Sequence, residues 1–133
     1  MKILKQLAVF VANRPGTLAE VCRLLAEHGI NILGLSVADA VDHAVLRLVV
    51  DKPAPAIHVL GEAGLLVLDT DVIAIRLPNG SGRMSELGVA LSAAGVNIEY
   101  AYGGLGETDT EGTLYLKVSD IEKARSSLQA LGL

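Results

Sequence analysis

The sequence predicts an α+β fold built from two copies of one unit, with elements in the order strand-helix-strand-strand-helix-strand. The main observation is an internal repeat, because residues 7–32 align without a gap with residues 73–98, which lie 66 positions later. A second observation is the composition, which is 51% hydrophobic but only 3% aromatic and therefore predicts an aliphatic core. A repeat of this length is a supersecondary unit that the chain uses twice.

The first copy contains four predicted strands and two predicted helices. Apolar residues that alternate along the chain predict strands at residues 5–12, 30–38, 44–51 and 65–68. A stripe of apolar residues at helical spacing predicts a helix over residues 17–28, and Gly29 follows where a left-handed cap is expected. Pro53 and Pro55 open the second helix, which ends at Gly61 to Gly64. This order is the ferredoxin-like split unit, in which an antiparallel sheet carries both helices on one face.

The second copy follows directly and is predicted to be shorter. Strands are expected at residues 72–77, 96–102 and 113–118, and two amphipathic helices are expected around Leu87 and Leu128. The sequence reaches Leu133 where a fourth strand should begin, so we expect the second repeat to be truncated at its C-terminal side. The predicted domains are residues 1–70 and residues 71–133.

The short connection between the two copies leads to a prediction about strand exchange. If the copies pair side by side through their second strands, their outer edges lie nearly 30 Å apart, at about 4.8 Å per strand. Residues 69–71 span about 10 Å at most. We therefore expect residues 65–68 to turn back as a hairpin against residues 72–77. Strand 5–12 would then be an open edge, which favours a homodimer.

Charge and composition exclude several classes of function. The formal net charge is −4 without a basic cluster, which argues against nucleic-acid binding. No apolar run of about 18 residues occurs, so no membrane span is expected. The absence of a secretory signal and the single cysteine, Cys22, predict a cytoplasmic protein without disulfides.

Two short motifs, each present in both copies, resemble those of the ACT domain. The first strand is followed by Asn-Arg-Pro-Gly-Thr-Leu at residues 13–18, and Glu-His-Gly-Ile-Asn-Ile follows at residues 27–32. The second copy keeps Gly-Val-Asn-Ile at residues 95–98 but has Gly80 and Ser81 in place of Arg14 and Pro15. The resemblance covers nearly the whole chain, so the protein is similar to a stand-alone tandem ACT protein.

This resemblance implies a non-catalytic regulatory module that binds a small amino acid where two repeats pair. It implies no cofactor, and it leaves a metabolic enzyme as the possible regulated partner. In ACT domains that bind amino acids, the turn of one domain faces the start of the second strand of its partner. Carried over to this sequence, the two implied sites consist of Val11, Asn13 and Gly16 with Asn97 and Ile98, and of Leu77, Asn79 and Gly82 with Asn31 and Ile32.

The residue types at these positions suit an amino acid ligand. Backbone N–H groups at a helix N-terminus attract a carboxylate, and glycine permits close approach of the backbone. The side chain of Asn13 offers an acceptor to an ammonium group and a donor to a carboxylate. Pro15 fixes the first turn in advance, so we expect the site at Asn13 and Gly16 to bind more tightly than the site at Asn79 and Gly82.

Other interpretations of the same residues remain open at the level of sequence. Asn13 and Asn79 also suit helix capping, and Asn31 and Asn97 suit turns after glycine. The chain could instead be a regulatory or interaction subunit of an amino-acid biosynthetic enzyme without a ligand of its own. An acyl phosphatase with this fold is a third alternative that only Arg14 favours, and we expect no enzymatic activity because no nucleophile–base pair is present. No metal site is expected either.

Overall fold

The computed structural model describes residues 1–133 and contains six strands and four helices. In chain order these are β1 (Lys2–Ala12), α1 (Thr17–Glu27), β2 (Ile32–Asp39), β3 (His43–Val50), α2 (Pro53–Glu62), β4 (Leu66–Pro78), α3 (Arg83–Ala93), β5 (Ile98–Gly104), β6 (Glu111–Val118) and α4 (Ile121–Ala130). The order confirms the predicted α+β fold of two ferredoxin-like repeats, the second of which has no fourth strand after its last helix.

The chain forms two compact units, and the N-terminal residues belong to the unit formed by the second repeat. The first unit is Lys5–Thr70, and the second unit is Met1–Leu4 together with Asp71–Leu133. Both β1 and β4 are therefore divided between the two units. Because each unit has its own core, each is described by itself below.

The first unit has the strand order β2-β3-β1-β4 and an aliphatic core beneath its two helices. β3 pairs antiparallel with both β1 and β2, and it places Leu48 opposite Leu7 on β1 and opposite Leu35 on β2. The helices contribute Val21 and Leu25 from α1 and the side chains of α2 that face the sheet. The buried core consists of Leu7, Val9, Val11, Val21, Leu25, Ile30, Ala44, Leu46, Leu48, Val50, Ala56 and Leu60.

The second unit repeats this arrangement with the strand order β5-β6-β4-β1. β6 pairs antiparallel with β4 and β5, and Leu116 lies opposite Ile73 on β4 and opposite Ala101 on β5. Both buried clusters are aliphatic, as the composition predicts, and Tyr115 on β6 is the one aromatic side chain that is buried. The buried core consists of Ile73, Ile75, Leu77, Leu87, Leu91, Val96, Leu114, Leu116, Val118, Ala124 and Leu128.

The first helix of each unit ends at the glycine that the sequence predicts. Gly29 and Gly95 adopt left-handed backbones with φ of 67° and 71°. The next residue then donates its N–H group back into the helix, from Ile30 to the carbonyl of Leu25 at 3.0 Å and from Val96 to the carbonyl of Leu91 at 2.9 Å. These bonds satisfy helix carbonyl groups that would otherwise lack donors, and they turn the chain toward the following strand.

The predicted hairpin between the two repeats is wrong. Residues 69–71 do not form a turn, because β4 runs without a break from Leu66 to Pro78. Val67 packs against the core of the first unit, whereas Ile73 and Ile75 lie in the core of the second. One strand thus begins in one unit and ends in the other. β1 has β3 on one side and β4 on the other, so residues 5–12 do not form the predicted open edge.

The N-terminal end of β1 occupies the place where the second repeat lacks a strand. Lys2, Ile3 and Leu4 lie in the second unit and belong to the strand that neighbours β4. Ile3 and Leu4 are half-buried there. The second unit therefore has a short fourth strand that comes from the same chain. This strand is formed by residues 2–4 and not by residues after α4.

We expect the first four residues to stabilise the second unit. Deleting residues 2–4 removes two half-buried aliphatic side chains and should lower the opening free energy of core amides in β6 by about 2 kcal/mol. Hydrogen exchange measures this difference, and the amides of β3 in the first unit should change much less. The exposed substitution Lys2→Ala serves as the control. Equal losses in β3 and β6 would contradict the assignment of these residues to the second unit.

Candidate functional site

The turn between the first strand and first helix of each unit is built around a left-handed glycine. Gly16 has φ of 86° directly before α1, and Gly82 has φ of 88° directly before α3. A Cβ built on either residue would meet no atom within 4 Å. The turn therefore requires glycine for its backbone conformation, since an L side chain is strained there, and not for lack of space.

The asparagine of each turn fixes the turn to the neighbouring hairpin. The side-chain amide of Asn13 donates to the carbonyl of Ala40 at 2.8 Å, and the amide of Asn79 donates to the carbonyl of Asp109 at 2.7 Å. Their backbone N–H groups donate to Asp42 and Thr110 in the same hairpins. The alternative that these asparagines cap helices is wrong, because neither α1 nor α3 has a side-chain cap. Each side-chain oxygen remains available as an acceptor.

Asn31 and Asn97 lie at the starts of β2 and β5 and are held through their main chains. The N–H group of Asn31 donates to Asp51 Oδ1 at 2.9 Å, and the N–H group of Asn97 donates to Ser119 Oγ at 2.9 Å. The asparagine side chains are exposed and make no hydrogen bond within the protein. The adjacent Ile32 and Ile98 are half-buried and pack against the core of their own unit.

The first unit contains a groove of about 940 Å³ along the turn before α1. Of the site residues predicted in this unit, Val11 and Gly16 line the groove, whereas Asn13, Asn31 and Ile32 do not. Sequence reasoning did not assign Arg14, Thr17 or Glu20 to the site, although these residues lie within or directly after the recognised motif. The groove is lined by Phe10, Val11, Ala12, Arg14, Pro15, Gly16, Thr17, Glu20, Val21, His43 and Leu65.

Three features of this groove favour a carboxylate. The first turn of α1 has N–H groups without acceptors inside the helix, and its dipole favours negative charge. The hydroxyl oxygen of Thr17, a residue that lines the groove, is buried and has no hydrogen-bond partner. Arg14 is exposed at the turn, and its guanidinium forms no ion pair. Phe10, Val11, Val21 and Leu65 give the groove an apolar wall.

Glu20, the acidic residue of this groove, is bound by an arginine on its own helix. Arg23 Nε donates to Glu20 Oε2 at 3.1 Å, and the same guanidinium contacts Glu27. The hydrogen bond from Arg23 lowers the pKa of the Glu20 carboxyl below its usual value. The two glutamates raise the pKa of Arg23 above its usual value. At the rim, His43 Nδ1 lies 2.9 Å from Asp42 Oδ1, and this contact lowers the pKa of Asp42.

The second unit has a much smaller groove at the corresponding place, with a volume of about 110 Å³. Among the site residues predicted here, only Leu77 lines it, whereas Asn79, Gly82, Asn97 and Ile98 do not. Arg83 Nη1 donates to Glu86 Oε2 at 3.0 Å inside this groove. The lining residues are Leu77, Pro78, Arg83, Glu86, Leu87, Leu131, Gly132 and Leu133.

The structure contains neither a cluster of metal-ligating side chains nor a helix suited to cross a membrane. No group of three or more His, Cys, Asp or Glu side chains is placed to hold a metal ion. Asp109, in the acidic loop before β6, accepts a hydrogen bond from the N–H group of Gly106 at 2.7 Å. None of the four helices combines the length and apolar character that crossing a bilayer requires.

Comparison with known proteins identifies the family. The ACT domain pair family matches residues 1–131, so the chain belongs to it. Protein BT0572 from Bacteroides thetaiotaomicron shares 32% sequence identity and superimposes with a TM-score of 0.91, covering 98% of this chain and 89% of that chain. Among curated proteins, none has a significant match to this sequence.

More distant solved structures share the fold. The ligand-free regulatory subunit of aspartate kinase from Thermus thermophilus is 17% identical, with a TM-score of 0.76, and the match covers 99% of this chain and 96% of that chain. Aspartate kinase from Synechocystis is 16% identical, with a TM-score of 0.71, and the match covers 96% of this chain but only 24% of that chain. The same tandem fold thus occurs both as a regulatory subunit and as part of a larger enzyme.

The link from asparagine to hairpin gives a stability prediction. Asn13→Ala should lower the free energy of unfolding by about 1 kcal/mol, because one hydrogen bond is lost. Asn13→Asp should cost more, since a carboxylate cannot donate and would face the Ala40 carbonyl with a second acceptor. Urea denaturation gives both values. Asn97→Asp is the control, because its side chain makes no bond within the protein, and a cost equal to that of Asn13→Asp would contradict the prediction.

Proposed function

We propose that the protein is a non-catalytic regulatory module that binds a small amino acid in the groove of the first unit. The observation that carries the proposal is the buried, unpartnered hydroxyl of Thr17 at the N-terminus of α1, beside an open groove. A ligand carboxylate suits the helix N-terminus, the Thr17 hydroxyl and Arg14. The ammonium group of the ligand suits an acceptor such as Glu20. The side chain of the ligand would contact the apolar wall of the groove, which favours a small or branched apolar amino acid.

The proposed binding site includes the predicted Val11, Asn13 and Gly16. Val11 and Gly16 line the groove, whereas Asn13 contributes by holding the turn to the neighbouring hairpin. The contribution of Asn97 and Ile98 to this site stays a prediction, as does the second site at Leu77, Asn79 and Gly82 with Asn31 and Ile32. A cytoplasmic location also stays a prediction of the composition. No enzymatic step is proposed, because no nucleophile is paired with a base in the groove.

The regulated partner is proposed to be an enzyme of amino-acid metabolism. The fold shared with regulatory subunits of aspartate kinase supports this class of partner. The same likeness supports the second candidate function, which is an interaction subunit that binds its enzyme without a ligand of its own. Binding of an amino acid by the isolated chain distinguishes the two candidates.

We expect one of the common amino acids to raise the melting temperature of the isolated protein. A ligand present at 100 times its dissociation constant stabilises by about 2.7 kcal/mol. Thr17→Val should keep or raise the melting temperature without ligand, because it removes an unpaired hydroxyl, and should reduce the shift that the amino acid produces.

Differential scanning calorimetry with each amino acid at millimolar concentration makes this test. Thr113→Val is the matched control, since Thr113 lies on β6 outside both grooves. If no amino acid shifts the melt, the proposal fails and the interaction subunit without its own ligand is the better interpretation.

A homodimer is proposed through β2 in place of the β1 edge that the sequence suggested. β2 ends the strand order of the first unit and pairs only with β3. Its side chains Leu33, Leu35 and Val37 are 50%, 41% and 49% exposed, and Asp39 is its only charged residue. An apolar strand with one open side favours pairing with the same strand of a second copy around a twofold axis.

Val37→Lys should convert the proposed dimer to a monomer. A lysine at this position would bring two positive charges together across a twofold interface, at a cost that exceeds the gain from an apolar contact. Sedimentation equilibrium measures the result. Val41→Lys is the matched control, because Val41 is 99% exposed and lies outside β2. A wild-type protein that is monomeric at high micromolar concentration would contradict this proposal.

A further inference from the structure

The grooves of the two units lie at equivalent positions of the repeat but differ greatly in size. Five lining positions of the first groove recur 66 residues later in the second, and Leu65 after α2 corresponds to Leu133 after α4. The volume nevertheless falls from about 940 Å³ to about 110 Å³. Residues 14–16 line the first groove, whereas their counterparts, residues 80–82, do not line the second. The six pairs are Val11 and Leu77, Ala12 and Pro78, Thr17 and Arg83, Glu20 and Glu86, Val21 and Leu87, and Leu65 and Leu133.

Arg83 covers the turn of the second unit. A Cβ built on Gly80 would lie 3.6 Å from Arg83 Cγ and 3.7 Å from its Nε, so the arginine side chain lies against the turn. Its guanidinium donates to Glu86, the acidic residue of the same groove, at 3.0 Å. The position that Thr17 occupies in the first unit is therefore taken by a long side chain whose charge is already compensated.

The corresponding charges are connected differently in the first unit. Glu20 is held by Arg23, which also binds Glu27 on the solvent side of α1. Arg14 lines the same groove without an ion pair, so its guanidinium is available there. Arg23 has no counterpart in the second unit, where Val89 occupies the equivalent position and is 66% exposed.

We infer that only the first groove accepts a carboxylate, and that two arginines absent from the predicted sites, Arg23 and Arg83, decide this difference. Arg23 acts as a positioning residue, because it holds Glu20 and leaves Arg14 uncompensated. Arg83 acts as the residue that fills and neutralises the second groove, with Glu86 as its partner. The inference rests on the proposed function because it takes the two grooves as possible ligand sites. It concerns the charge of the grooves, however, so it can be tested without an amino acid.

Acetate is a suitable probe because it carries the carboxylate alone. In a titration followed by ¹H–¹⁵N NMR of the full chain, the amides of Gly16 and Thr17 should shift with saturation, and those of Gly82 and Arg83 should not. Arg83→Thr, which copies Thr17, should give the second turn a saturable shift. Arg23→Val, which copies Val89, should weaken acetate binding at the first turn about two- to fivefold, the range expected for an exposed ion pair.

Arg125→Val is the matched control, because Arg125 forms an exposed ion pair with Glu122 outside both grooves. Arg23→Lys should restore much of the affinity that Arg23→Val loses, since a lysine can still hold Glu20. The inference is overturned if both turns shift alike in the wild type, if neither shifts, or if Arg83→Thr leaves the second turn silent.

The two proposals fail separately. If acetate binds at the first turn but no amino acid changes the melting temperature, the regulatory proposal is contradicted and this inference is not. An amino acid that raises the melting temperature, together with equal acetate shifts at both turns, would sink this inference alone.

Discussion

A single residue with a left-handed backbone, placed directly before a helix, is the constraint on which each unit depends. Gly16 and Gly82 allow the chain to leave a buried strand and begin a helix within a few residues. Any L side chain at that φ would lower the stability of the protein by roughly 1–2 kcal/mol. Substitutions at neighbouring positions of the turn should therefore be tolerated better than substitutions of the glycine itself. The asparagine three residues earlier then fixes the turn to a hairpin, which orients the helix whose apolar stripe closes the core.

Most of the fold could be predicted because its signals are local and occur twice. Helix stripes, strand alternation and left-handed glycines such as Gly29 each follow from residues close together in the chain, and the repeat confirms each interpretation in a second copy. The connection between the repeats was mispredicted for the opposite reason. Asp69, Thr70 and Asp71 look like a turn locally, but they continue β4 because each end of this strand packs in a different core.

The candidate site could be predicted in outline only. The motif at residues 13–18 located the turn, and Val11 and Gly16 do line the groove. The roles of the side chains could not be derived in the same way, because they depend on hydrogen bonds to distant residues, such as the bond from Asn13 to Ala40. The aligned repeats show that Val89 stands where the first copy has Arg23. The role of Arg23 could not be predicted from this difference, because it depends on the ion pairs that Arg23 forms in the folded structure.

The division of β1 and β4 has a consequence for the order in which the protein can fold. Met1–Leu4 precede residues 5–70 in the chain, yet they belong to a unit whose remaining residues begin at Asp71. Contacts between such distant segments close a long loop, which slows folding relative to local contacts. During synthesis, residues 5–70 can become compact before the rest of the unit that contains Met1–Leu4 has been made. A chain cut between residues 70 and 71 would leave the second fragment without its own outer strand.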